Sequence, residues 1–186
     1  MAEVFPNLIA IEGGDGAGKG TQAEELRRYV SDELGRHVIK ISYPRYSEPS
    51  ARYVGRYLDG QYGGVNDIHP DLGSLPYSID RVVGSVDIRS FFAQHSDGVG
   101  ILDRSTASNL AHQGTKIDEP EKRKLFYEEM LELEHDILKI PKPAKSLVLL
   151  VSTGLAQANV DKKDTSTRVY TTKKRDIHEA DPSHLD

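Results

Sequence analysis

The chain has 186 residues, 37% hydrophobic and 28% charged, with a formal net charge of −5 and no cysteine. This predicts one soluble globular domain with a proper core, and it excludes disulfides, thiolate metal centres and a cysteine nucleophile. The acidic balance argues against bulk nucleic-acid binding, no apolar run reaches membrane-spanning length, and MAEVFPNL carries no secretory signal, so a cytoplasmic location is expected.

Leu8–Ile11 reads as a buried strand that breaks into a glycine-rich turn ending in Lys19, and Ala23–Leu34 reads as the helix after it. Gly13, Gly14, Gly16 and Gly18 let the turn curl so that backbone N–H groups point at an anion, and the helix adds its positive N-terminal end. Lys19 then reaches the outer phosphates of a nucleotide. A plain glycine turn explains the glycines but not the lysine. The nucleoside triphosphate is therefore expected on Gly13, Gly14, Asp15, Gly16, Ala17, Gly18, Lys19, Gly20 and Thr21. Gly20 stands where a Ser or Thr usually follows the lysine, which removes a direct magnesium-ligating hydroxyl.

His37–Tyr43 is a second strand, ended by Pro44. Ser50–Leu58 is predicted helical, Gly60–Gly73 a loop, and Pro76–Gln94 carries apolar residues at helical spacing. Val99–Leu102 is a third strand ending at Asp103, Ser105–Gln113 and Glu121–Ile140 are helices, and Ser146–Ser152 is a fourth strand. Strands separated by helices imply a parallel sheet covered on both faces. Ligands bind such sheets at the carboxyl ends of the strands. There the phosphate loop, Tyr43–Tyr46, Asp103–Arg104 and the segment after Ser152 should converge.

Three further constellations are ambiguous taken singly. Ser42-Tyr43-Pro44-Arg45-Tyr46 offers a ring for a base and a guanidinium for a phosphate, or a strand-terminating turn. Asp80-Arg81 reads equally as a solvated charge pair. Asp103 closes an apolar strand where phosphate-loop enzymes place a magnesium-organising carboxylate, although Asp103 or Ser105 would also serve as a helix cap.

Together, EGGDGAGKGTQ, YPRY, Asp80-Arg81 and DRSTASNLAHQ stand in the order and spacing of the thymidylate (dTMP) kinases. KKRDIHEAD at Lys173–Asp181 resembles that family's end-of-lid motif, so the resemblance covers essentially the whole chain. It implies an α/β phosphate-loop nucleoside-monophosphate-kinase fold, a parallel sheet with helices on both faces, in a single domain. The implied reaction is ATP + dTMP → ADP + dTDP with Mg2+. By the same resemblance, Asp15 holds the sugar 3′-hydroxyl and helps place the metal, and Tyr43, beside Pro44, stacks on thymine. Arg45 and Arg104 bind the acceptor phosphate, Arg81 donates to a thymine carbonyl, Asn109 faces the N3 edge, and Asp103 organises magnesium through water.

Thr153–Arg175 corresponds to a lid carrying Lys162, Lys163, Arg168, Lys173, Lys174 and Arg175. Gly14–Ala17 contains no cation, so the lid must supply the one that follows the transferring phosphate. Arg168 is the first choice for that catalytic role. Two residues depart from the family pattern. Ser105 replaces a tyrosine, and His112 replaces the tyrosine near the sugar 2′ position, which would loosen discrimination against ribonucleotides; a lone surface histidine is the plainer alternative. A homodimer is expected through Ser50–Leu58, Pro76–Gln94 and Ser105–Gln113, with Val82, Val83, Val86 and Phe91 as surplus apolar groups. Relatives continue after the lid through a helix, a strand and a final helix, whereas this chain ends at Asp186. The expectation is four strands, an uncovered edge, and poorer handling of ATP than of dTMP. An adenylate-type kinase would share GKGTQ without needing YPRY and DRSTASN. A GTPase would need an Asn-Lys-x-Asp that is absent, and an impaired nucleotide-binding relative is the third alternative.

Overall fold

The computed structural model describes residues 3–64 and 66–161. The lid from residue 162, with Arg168 and Lys173–Asp181, lies outside the described residues.

Strand β1 (Val4–Gly13) runs straight into the phosphate loop, and helix α1 (Lys19–Arg28) leaves it, continuing through a π turn at Tyr29–Glu33. Strand β2 (Val38–Ser42) follows, then a 3-10 turn at Pro49–Ala51 that leads into α2 (Arg52–Leu58). Next come α3 (Pro70–Gln94), β3 (Val99–Asp103) and α4 (Thr106–Gly114). Then follow α5 (Pro120–Leu131), a π turn at Glu132–Ile137, β4 (Lys142–Leu149) and α6 (Thr153–Asp161).

Among the described residues the three strand pairings are all parallel, in the order β2-β3-β1-β4. Successive side chains of a strand face opposite ways, and β1 shows this directly. Leu8 and Ala10 join Ile41, Leu102, Ile88 and Phe92 under α3, whereas Ile11 joins Ile101, Val99 and Ala23 under α1. Helices therefore cover both faces, as the alternation of strands and helices required. Burying one such Leu or Ile contributes about 1.5–3 kcal/mol, so these two clusters orient the sheet, and with it the loops at its carboxyl ends.

Several boundaries differ from expectation, those of β4 and α3 among them. β4 begins at Lys142 instead of Ser146, because Val4 and Phe5 pair with Lys142 and Pro143. Its residues are mostly exposed, and apolar patterning reports burial, so it cannot mark a strand whose pairing is set by its neighbour's backbone. The register shifts between Phe5 and Ile9, where Pro6 has no N–H for the ladder. Likewise α3 begins at Pro70 and runs through Pro76. Proline suits a first helical turn, so either one could have marked the start. The buried face of Gly73, Ser74, Pro76 and Ser78 extends the helix to the earlier one.

Candidate active site

The loop after β1 is shaped by backbone conformations that L side chains avoid. Gly18 at φ 87° caps α1, and Gly16 at φ 78° leaves no room for a Cβ, which would strike the backbone of Ala156 in α6. Asn159, one turn further along α6, donates from Nδ2 to the Gly16 carbonyl at 2.8 Å. Nothing in the sequence marked Asn159 as a loop contact. Lys19 is buried, its Nζ donating to the Gly13 and Gly14 carbonyls at 2.9 and 2.7 Å, with the Asp15 carboxylate at 3.8 Å.

At the end of β3, Arg104 adopts φ 72°, a left-handed conformation that costs a non-glycine residue roughly 1–2 kcal/mol. Its N–H donates to the Ile11 carbonyl at 3.0 Å, and its side chain is held on three sides. Nη2 donates to Asp15, while Nη1 lies 3.4 Å from Ser108 Oγ and 3.2 Å from His112 Nε2. Burial works against the Arg104 charge, but Asp15 and Asp103 outweigh it and raise its pKa. The structure thus brings Asp15, Lys19, Arg104 and His112 together. Burial pushes the Asp103 carboxyl above the ordinary aspartate value, against the pull of Arg104, Lys19, Ser42 and Lys40. A Cβ at Gly20 would lie 3.3 Å from Asp103 Oδ2, so the glycine that replaces the usual hydroxyl residue leaves space beside this carboxylate.

After β2, the Tyr43–Pro44 peptide is cis and Arg45 turns toward α3. Its N–H and Nε donate to Asp80 at 2.7 and 3.4 Å, Nη1 to Asp87 at 2.7 Å, and Nη2 to Ser50 Oγ at 3.3 Å. Asp80 is therefore no solvated partner of Arg81 but a buried anchor for Arg45. Tyr43, the ring expected on the base, lies in the core cluster. Its ring is 6% exposed and belongs to the cluster under α3, packed so closely on Gly84 that a Cβ there would clash. The half-buried ring near Arg81 is Tyr77, one helical turn earlier and edge-on to Tyr57 at 6.1 Å.

Arg81 and Asn109 meet at a residue that sequence reasoning missed. Glu134, fully buried in the π turn after α5, accepts from Arg81 Nε and Nη2 at 2.8 and 2.5 Å. It also accepts from Ser78, Thr106 and Asn109 Nδ2 at 2.8, 2.7 and 3.3 Å. Glu12 plays a similar part at the end of β1, accepting from Ser105 and Ser108 at 2.5 and 2.6 Å. Ser105 also caps α4, accepting from the Ala107 N–H at 3.3 Å, so the residue that departs from the family pattern ties the helix to the loop.

Among the described residues, no three His, Asp or Glu side chains cluster as a protein-only metal site, and no helix is long and apolar enough to cross a membrane. A parallel sheet with a lysine-bearing phosphate loop facing an arginine at the next strand end defines a phosphate-loop nucleotide kinase.

Comparison with known proteins narrows that class. No family model matches the chain. It is 34% identical over 150 residues to the thymidylate kinase of Mycobacterium tuberculosis (strain CDC 1551 / Oshkosh), covering 80% of this chain and 68% of the relative. The probable thymidylate kinase of Picrophilus torridus is 29% identical over 150 residues, 80% of this chain and 64% of that one. Among solved structures, a thymidylate kinase from Candida albicans superposes with a TM-score of 0.59 at 23% identity, over 89% of this chain and 80% of that one. The chain belongs to the thymidylate kinase family and is a nucleotide kinase.

Proposed function

We propose that the protein transfers the γ-phosphoryl group of ATP to dTMP, giving ADP and dTDP. The observation that carries this reading is the row Lys19, Asp15, Arg104, in which one carboxylate lies between the loop lysine and the arginine at the end of β3. Lys19 serves the donor phosphates and Arg104, with Arg45, the acceptor phosphate. The acceptor phosphate is already an anionic nucleophile at neutral pH, so the residues act by alignment and by neutralising charge around the transferred group. Asp15 keeps the two cations apart and receives the 3′-hydroxyl. Arg81 and Asn109 read the base, and Tyr77, a half-buried ring one helical turn before Arg81, takes the stacking role expected of Tyr43. Arg168 remains the proposed lid cation.

Asp103 and Asp15 fit magnesium, because that ion keeps most of its water and leans on substrate phosphates, needing only one or two carboxylates. When bound, the ion would supply positive charge against the donor phosphates.

A panel of nucleoside monophosphates, with ADP release as the readout, tests the substrate. The expected order places dTMP and dUMP above dCMP by about tenfold or more in kcat/KM, the cost of a mismatched donor pair in a buried pocket. AMP as the best acceptor would replace this reading with an adenylate-type one.

We also propose a homodimer. Leu72, Leu75, Ile79, Val83 and Val86 form one outward stripe on α3, each 39–62% exposed. Phe91, expected in that surface, instead packs against the core beside Phe92. A self-complementary helix stripe suits a two-fold contact. Ile79→Asp is expected to convert a dimer to a monomer by sedimentation at micromolar concentration. A monomeric parent protein would refute the dimer.

A further inference from the structure

We infer that Glu134 is the positioning residue that sets the donor–acceptor polarity of the base-reading pair Arg81 and Asn109. The inference rests on the dTMP reading above and deepens it.

An ionised carboxylate can only accept hydrogen bonds, so every group that faces Glu134 must turn a donor toward it. Burial opposes the charge of Glu134, but Arg81 and the hydroxyls of Thr106 and Ser78 outweigh it and hold its carboxyl below the usual range. The consequence for Asn109 is direct. Its amide points Nδ2 at Glu134 Oε1 and at the Ser74 carbonyl, at 3.3 and 3.4 Å. Its Oδ1 is therefore turned away, and it is a buried acceptor with no partner among the described residues. The consequence for Arg81 is complementary. The Nε–Nη2 edge of its guanidinium is spent on the two carboxylate oxygens in a fork. Nη1 is the one nitrogen of the group without a bond among the described residues.

One carboxylate therefore leaves α4 offering an acceptor and α3 offering a donor. That pair complements the N3–H and the 4-carbonyl of a keto pyrimidine. Cytosine presents an acceptor at N3 and an amino group at C4, opposing both. Selection between the two is thus written in Glu134, which has no exposed surface and is itself no substrate contact. A glutamine there keeps the shape but brings an NH2 into the pocket. Either Asn109 must turn its oxygen inward to meet it, or one edge of Arg81 loses its acceptor and is freed to reorient.

The test compares kcat/KM for dTMP and dCMP, together with the melting temperature, in the full chain and in Glu134→Gln. The expected result is a fall of at least tenfold in the dTMP-to-dCMP ratio, carried by a higher KM for dTMP with kcat changed far less. An active Glu134→Gln enzyme with the parent ratio overturns the inference. The combined variant Ser78→Ala with Thr106→Val removes two donors that carry no base-reading polarity. It is expected to melt lower while keeping the ratio within twofold, and a collapsed ratio there would make Glu134 mere packing and overturn the inference too. This second variant decides the matter if Glu134→Gln does not fold. A parent enzyme without preference for dTMP over dCMP would instead defeat the proposed substrate.

Discussion

Lys19→Ala is expected to abolish phosphoryl transfer while dTMP binding survives. Lys19 is rooted in the phosphate loop, bonded to the Gly13 and Gly14 carbonyls, whereas Arg45, Arg81, Arg104 and Asn109 lie after β2, on α3, after β3 and on α4. Removing a cation that balances the transferring charge in a site screened from water costs several kcal/mol in the transition state, on the order of 10³-fold in rate. Truncation also frees Asp15 from the ammonium 3.8 Å away but leaves its bond to Arg104, which is why acceptor binding persists. Single-turnover kinetics and dTMP titration by calorimetry separate the two effects. Turnover near the parent rate would remove the loop from the mechanism.

The largest expected effect on stability comes from Glu134→Leu. It leaves Arg81 buried without its partner, and breaking a buried ion pair in this way costs about 3–5 kcal/mol. Ser78, Thr106 and Asn109 lose an acceptor as well. For a chain of this size each kcal/mol lowers the melting temperature by about 2–4 °C, so a drop of about 10 °C is expected. Combining Arg81→Met with Glu134→Leu should recover much of it, because an apolar pair of similar volume no longer strands a charge. The pH dependence follows from the lowered pKa of Glu134. A carboxyl depressed by folding adds stability that is present above its unfolded value, near 4.5, and is lost as pH falls through the lower folded value. The parent protein should therefore lose more stability in acid than Glu134→Leu does. Equal melting of parent and Glu134→Leu at neutral pH would mean that the carboxylate holds nothing.

The sequence by itself determined the phosphate loop, the parallel sheet and the family. These are local signals: glycines adjacent to a lysine between a strand and a helix, apolar runs of strand length, and an Asp-Arg pair closing the third strand. Chemistry that must occur within one turn of backbone is written in adjacent residues. The partners of those residues were decided only in three dimensions. Asp80 and Arg81 read as a pair, but neighbours on a helix point about 100° apart. Asp80 accordingly turns to Arg45 and Arg81 to Glu134. Tyr43 looked like a free ring until α3 packed Gly84 against it. Glu134 was hidden most completely. In EEMLELEHD it is one acid among several at a helix end, and composition cannot say which of them faces inward. That choice is made where α3, α4 and the π turn after α5 close on one another. Burying a carboxylate there is tolerated because five donors from those elements meet it, an arrangement that packing alone creates.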